Sequence, residues 1–255
     1  MGAAQTLLKN PLGAARFALR AAAILVTLAA CLPGHWFSRA PSPWPRRFLA
    51  AVSHILGVRI TVEGEMLLHD VFFVANHVGW IDIPILAGRT GTAFVSQDKI
   101  KSWPLVGWLA RLNNTVFVSR TERHMVGRQV AELREALAAH QPVAIFPEGT
   151  TTDGRALLPF KPSLFAVLMP PPRRLLIQPV AICFDAQGRH LAWIGEETAP
   201  QNAWRIFTSR QPIGCHLRFL PPFDPGDHPD RKQIAHEARR RIADALHQHY
   251  GHPVA

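Results

Sequence analysis

A histidine and an aspartate five residues apart stand at the head of the chemistry this chain can do. His77 and Asp82 lie in Asn76-His77-Val78-Gly79-Trp80-Ile81-Asp82, directly after the apolar run Val71-Phe72-Phe73-Val74-Ala75. Imidazole exchanges a proton near neutral pH. A carboxylate that curls back across the turn fixes the ring tautomer and steadies the imidazolium. Such a pair takes a proton from a hydroxyl as its oxygen attacks an electrophilic carbon. The substrate's own hydroxyl can then be the nucleophile. No G-x-S-x-G elbow supplies a serine in its place.

A second cluster follows some seventy residues later: Phe146-Pro147-Glu148-Gly149-Thr150, behind Val143-Ala144-Ile145. A Pro-Glu-Gly turn ends strand pairing and frees backbone N–H groups. Those groups and the Thr150 hydroxyl are candidates to hold an anionic headgroup or a developing oxyanion. In this order and separation, N-H-x-x-x-x-D and F-P-E-G-T resemble the signature of the glycerolipid acyltransferases, the PlsC-type 1-acylglycerol-3-phosphate acyltransferase family. Two further blocks agree, Val116-Phe117-Val118-Ser119-Arg120 and Leu176-Ile177-Gln178-Pro179-Val180, so the likeness runs from about Val58 to Leu220.

The resemblance implies transfer of a fatty acyl group from a thioester to a lysolipid hydroxyl. The donor is acyl-carrier-protein or coenzyme A thioester, a co-substrate, with no separate cofactor and no metal. It implies His77 as general base and Asp82 as its orienter. Asn76, Arg120, Glu148, Gly149 and Thr150 would line the acceptor site. One position departs from the family text F-P-E-G-T-R: Thr151 stands where the arginine belongs, with Lys161 or Arg155 as stand-ins. The form F-P-E-G-T-T-x-D-G followed by P-F-K looks like a branch that includes lyso-ornithine lipid acyltransferases. Lysophosphatidic acid, giving phosphatidic acid, is the acceptor expected first. Lyso-ornithine lipid or another lysolipid is the alternative, and a thioesterase or lipase a remote one.

The elements around these residues read as strand-helix alternation. Strands are expected at Val58–Val62, Val71–Ala75, Ala93–Ser96, Thr115–Val118, Val143–Phe146, Leu175–Cys183, Leu191–Ile194 and His216–Leu220. Helices are expected at Ile83–Ala87, Leu105–Leu112, Arg123–Ala139, Pro162–Leu168 and Arg231–Tyr250. This is an α/β fold, a mixed sheet sandwiched by helices. Two segments are expected: residues 1–57, a membrane-associated helical pair, and residues 58–255, the acyltransferase domain.

Charge says what the chain meets. Its 255 residues carry a net charge of +10 and 48% hydrophobic residues, which excludes a disordered or polytopic membrane protein. From Met1 to Val62 there is no acidic residue, while Lys9, Arg16, Arg20, Arg39, Arg46, Arg47 and Arg59 alternate with Phe17, Trp36, Phe37, Trp44 and Phe48. Basic and aromatic residues together suit an anionic membrane surface rather than nucleic acid. The apolar run Ala21–Leu32 is short of the ~20 residues of a full span. A helical pair, 3–32 and 43–56, entering or lying on one leaflet is therefore expected, at the cytoplasmic face of a bacterial inner membrane. Signal-peptide, lipoprotein and myristoylation patterns at the N-terminus are weaker readings. Cys31, Cys183 and Cys215 show no metal or disulfide spacing. The histidines from His228 to His252 read as a solvated tail.

Overall fold

The computed structural model describes residues 10–38, 42–118, 131, 133–135, 137, 141–189 and 191–254. Seven strands form one sheet: β1 (Val58–Glu63), β2 (Val71–Ala75), β3 (Ala93–Gln97), β4 (Val116–Val118), β5 (Val143–Ile145), β6 (Leu176–Phe184) and β7 (Ile213–Phe219). Their order is β1-β7-β6-β2-β5-β3-β4. All neighbouring pairs are parallel except β6 with β7. The sheet is mixed, as the alternating pattern predicts.

β2 lies near the middle, every residue buried, which is what a strand covered on both faces requires. Its side chains alternate between two cores. Val71, Phe73 and Ala75 join one with Phe48, Val52, Ile85 and Leu86. Phe72 and Val74 join the other with Leu137, Phe165, Ile234 and Ile242. The first core lies under α1 (Pro11–Phe37), α2 (Trp44–Ile55) and α3 (Asp82–Thr90), the second under α6 (Arg231–Tyr250). Between them in sequence come α4 (Pro104–Leu112) and α5 (Ala199–Thr208).

α1 is longer than the twelve-residue apolar run. It starts at the Asn10 cap, whose side chain accepts the Gly13 N–H, and it continues through Pro33 to Phe37. At 1.5 Å per residue its 27 residues span about 40 Å. With a mean hydropathy of 1.8 over an 18-residue stretch, it is long and apolar enough to cross a bilayer. Arg20 donates from Nη1 to the carbonyls of Ile206, Phe207 and Ser209 at 3.0–3.1 Å, at the C-terminal end of α5. Phe17 stacks on Trp204 and packs against Phe207. The long helix is thus bolted to α5.

Other expectations change. Leu191–Ile194 is not a strand. Its Trp193 N–H bonds to the Val78 carbonyl at 3.0 Å, so the segment pairs with the turn that carries His77 and not with the sheet. α5 escaped the periodicity search, although Thr198 and Gln201 form a capping box with Pro200 in the first turn. Pro162–Leu168 winds as a 3₁₀ helix. β7 begins three residues earlier than expected. The helix expected at Arg123–Ala139 lies largely outside the described residues.

Candidate active site

β2 ends at Ala75, and the chain turns through Asn76 to Ile81 before entering α3 at Asp82. Asn76 closes the strand. Its amide donates to the Ile182 carbonyl at 3.0 Å and accepts the Ile182 N–H at 2.8 Å. The side chain is buried and fully occupied by β6. It anchors the turn to β6.

Asp82, in the first turn of α3, is fully buried. Its Oδ2 accepts three N–H groups: Val78 at 2.7 Å, Gly79 at 3.0 Å and the His77 ring Nδ1 at 2.8 Å. An oxygen already facing two backbone donors acts as an acceptor. The ring proton therefore sits on Nδ1, and the Nε2 lone pair is left to take another proton. The His77 side chain is 19% exposed, so it is open to a substrate yet held on three sides.

The ring is also clamped by aromatic stacking. Phe146 lies parallel to His77, centroids 4.1 Å apart and planes 11° from each other, and Phe94 of β3 stacks behind Phe146 at 5.5 Å. The motif text contains Phe146, but nothing in its spacing announces that it is the floor under the imidazole.

Glu148 brings the second motif to the first. Its Oε1 accepts the His77 backbone N–H at 2.8 Å and its Oε2 accepts the Leu158 N–H at 2.9 Å. The residue is 2% exposed. Burial pushes its carboxyl up to about 7 from 4.5, with the two N–H bonds opposing. Glu148 lies beneath the histidine and does not line an open acceptor site. Gly149, at φ +73°, occupies the left-handed region that the turn needs. Its N–H closes the turn on the Phe146 carbonyl at 3.1 Å, so this expected donor points inward. Thr150 and Lys161 are exposed. The Lys161 backbone N–H bonds to the Pro147 carbonyl at 2.9 Å, which holds that lysine beside the motif. Arg120 lies outside the described residues.

A third wall was not foreseen. The Thr151 hydroxyl donates to the Trp193 carbonyl, and the Thr152 N–H to the His77 carbonyl at 2.9 Å. The Trp80 indole donates to Asn202 of α5 at 2.9 Å, and Asn202, buried, donates to the Leu191 carbonyl and to Glu197. The contacts of Thr151, Thr152 and Trp80 join positions 42 to 122 residues apart, beyond the reach of a local pattern. Among the described residues no group of His, Cys, Asp and Glu is arranged to hold a metal ion.

Among the described residues, the buried Asp82 and the oriented His77 meet at the sheet edge, an arrangement that lets a substrate hydroxyl attack an acyl carbon. Residues 59–183 match the family model described as Acyltransferase. The chain is 32% identical over 254 residues to a lyso-ornithine lipid O-acyltransferase of Rhodobacter capsulatus, covering 92% of each protein. It is 38% identical over 228 residues to one of Rhizobium meliloti, covering 83% of this chain and 77% of that protein. Identity to the 1-acyl-sn-glycerol-3-phosphate acyltransferase of Neisseria meningitidis is 29% over 205 residues, 78% of this chain and 79% of that one. The crystal structure of PlsC, the 1-acyl-sn-glycerophosphate acyltransferase from Thermotoga maritima, shares the fold with a TM-score of 0.71. That match covers 94% of this chain and 96% of that one at 22% identity. The chain belongs to the PlsC-type acyltransferase family.

Proposed function

We propose that this enzyme transfers a fatty acyl group from an acyl thioester to the free hydroxyl of lyso-ornithine lipid. The observation that carries the choice of acceptor is Thr151. It stands at the position of the family arginine and its hydroxyl is turned back onto the Trp193 carbonyl. A phosphate monoester needs concentrated positive charge, best supplied by a guanidinium fork. An ornithine headgroup brings its own ammonium and has less need of it. The names of the relatives in Rhodobacter capsulatus and Rhizobium meliloti support the same acceptor, which was the alternative in the sequence reading. Lysophosphatidic acid, the first expectation, becomes the second.

In the reaction, His77 Nε2 takes the proton as the acceptor oxygen bonds to the thioester carbonyl carbon. The tetrahedral intermediate collapses with cleavage of the C–S bond. The thiolate leaves and takes the proton back from His77. Asp82 keeps Nδ1 protonated and stabilises the imidazolium between the two transfers. Arg120 and Lys161 remain candidates for the acceptor headgroup. Residues 1–57 serve the membrane surface and residues 58–255 the catalysis, at the cytoplasmic face, where acyl-carrier-protein and coenzyme A thioesters are made.

The test offers labelled acyl thioester with lyso-ornithine lipid and lysophosphatidic acid in parallel and follows products by thin-layer chromatography. Ornithine lipid as the dominant product is expected. Phosphatidic acid as the dominant product would overturn the acceptor assignment and leave the chemistry intact. A Thr151→Arg variant is expected to raise the phosphatidic acid share.

A further inference from the structure

A cleft of about 220 Å³ lies where α1, the end of α2, the start of β1 and the α5–β7 connection meet. Its lining includes Arg20, His54, Arg59 and Arg210 and contains no acidic residue. Arg59 and Arg210 are exposed, and among the described residues neither guanidinium makes a hydrogen bond or an ion pair. Arg20 spends its Nη1 on α5, while its Nη2 turns toward Gly57, where a Cβ would lie 3.2 Å away. Like charges brought to one cleft repel. Arginines gathered without a counter-ion form a receptor for an anion that accepts several N–H donors at once. Phosphate matches that fork geometry.

The sheet places this cleft on the rim that carries the active site. β6 and β2 run parallel, with Ala75 opposite Val180. β7 runs against β6, with Cys215 opposite Phe184, and β1 runs with β7, Val58 opposite Ile213. β1 and β7 therefore begin at the edge where β2 and β6 end, the edge that also carries the His77 turn. Arg20 belongs to α1, which is apolar and mostly exposed. We propose that the Arg20–Arg59–Arg210 cleft binds the phosphate of a membrane phospholipid headgroup and seats the catalytic rim against the bilayer. This role is independent of which lysolipid is the acceptor.

The test uses the full chain with Arg59→Gln and Arg210→Gln combined, leaving Arg20 to its contacts with α5. A control pair, Arg231→Gln with Lys232→Gln, removes the same charge at the far end of α6. Co-sedimentation is measured on vesicles of equal parts phosphatidylcholine and phosphatidylglycerol. At roughly 1 kcal/mol per basic residue near an anionic surface, the cleft pair is expected to weaken vesicle binding about thirtyfold. The control pair should change it little, and melting temperatures check that both variants fold. In a second arm, sn-glycerol 3-phosphate is titrated into each protein without vesicles. Glycerol phosphate binding lost in the cleft pair with vesicle affinity intact would overturn the bilayer role and leave a site for soluble phosphate. Equal loss from both pairs, or no loss in either arm, would overturn the site. Binding is read here, not transfer, so this result stands apart from that of the acceptor assay.

Discussion

Replacing Glu148 by Gln isolates a buried proton. In the native protein the carboxyl is raised to about 7 by burial, against 4.5 ordinarily. A carboxyl whose folded value lies above its unfolded one stabilises the fold fully below the unfolded value. It loses that contribution as pH rises through the folded one. The window therefore runs from about 4.5 to about 7. A gap of about 2.5 pH units at 1.36 kcal/mol each amounts to about 3 kcal/mol at most. Glutamine resembles the protonated acid. Its carbonyl can accept one of the two N–H groups, from His77 or Leu158, but it cannot titrate. At pH 4.5 the variant should match the wild type within about 1 kcal/mol, the scale of one hydrogen bond. By pH 8 it should have gained about 3 kcal/mol relative to the wild type. At roughly 2–4 °C per kcal/mol for a chain of this size, the relative melting temperature should shift by about 10 °C. Thermal melts of both proteins in one detergent from pH 4.5 to 8 measure this. Parallel melting curves across the range would refute the buried proton.

Asp82→Asn should lower kcat by about a hundredfold or more while the ring stays in place, because an amide does not stabilise the imidazolium as a carboxylate does. Steady-state kinetics across pH would show it, and unchanged turnover would contradict the orienting role. Gly88 faces α2 so closely that a Cβ would lie 2.8 Å from the Ala50 Cα. Gly88→Ala should therefore destabilise by about 1–3 kcal/mol through overpacking, read as a lower melting temperature. Deleting residues 1–56 should yield an unfolded or aggregated product rather than a soluble enzyme. Phe48, Val52 and Leu56 are core side chains, each worth about 1.5–3 kcal/mol when buried. A monodisperse, cooperatively melting truncation product on size-exclusion chromatography and calorimetry would show that α2 is dispensable for folding.

The His77–Asp82 hydrogen bond was legible because it is local. His77 and Asp82 meet across one turn at the end of a strand, and the strand announces itself by five consecutive apolar residues. The α/β class was legible for the same reason, since alternation is written in short windows. What sequence missed is what distant segments do to that pair. Glu148 sits in a motif, but only the sheet order, with β5 beside β2, puts its carboxylate under the His77 peptide. Leu191–Ile194 has the composition of a strand, yet it bonds to the Val78 carbonyl because the catalytic turn offers a free acceptor there. α1 was expected over 3–32, ending before Pro33, yet it runs on to Phe37. Packing of Phe17 on α5 and Trp44 on Gly34 holds both ends in the helix.

Transfer by His77→Ala, set against wild type in detergent micelles with labelled acyl thioester and lyso-ornithine lipid, tests the central claim most directly. Loss of at least a thousandfold in kcat with an unchanged melting temperature is the expected result. Turnover within tenfold of wild type in a folded His77→Ala protein would contradict the assignment of His77 as the base.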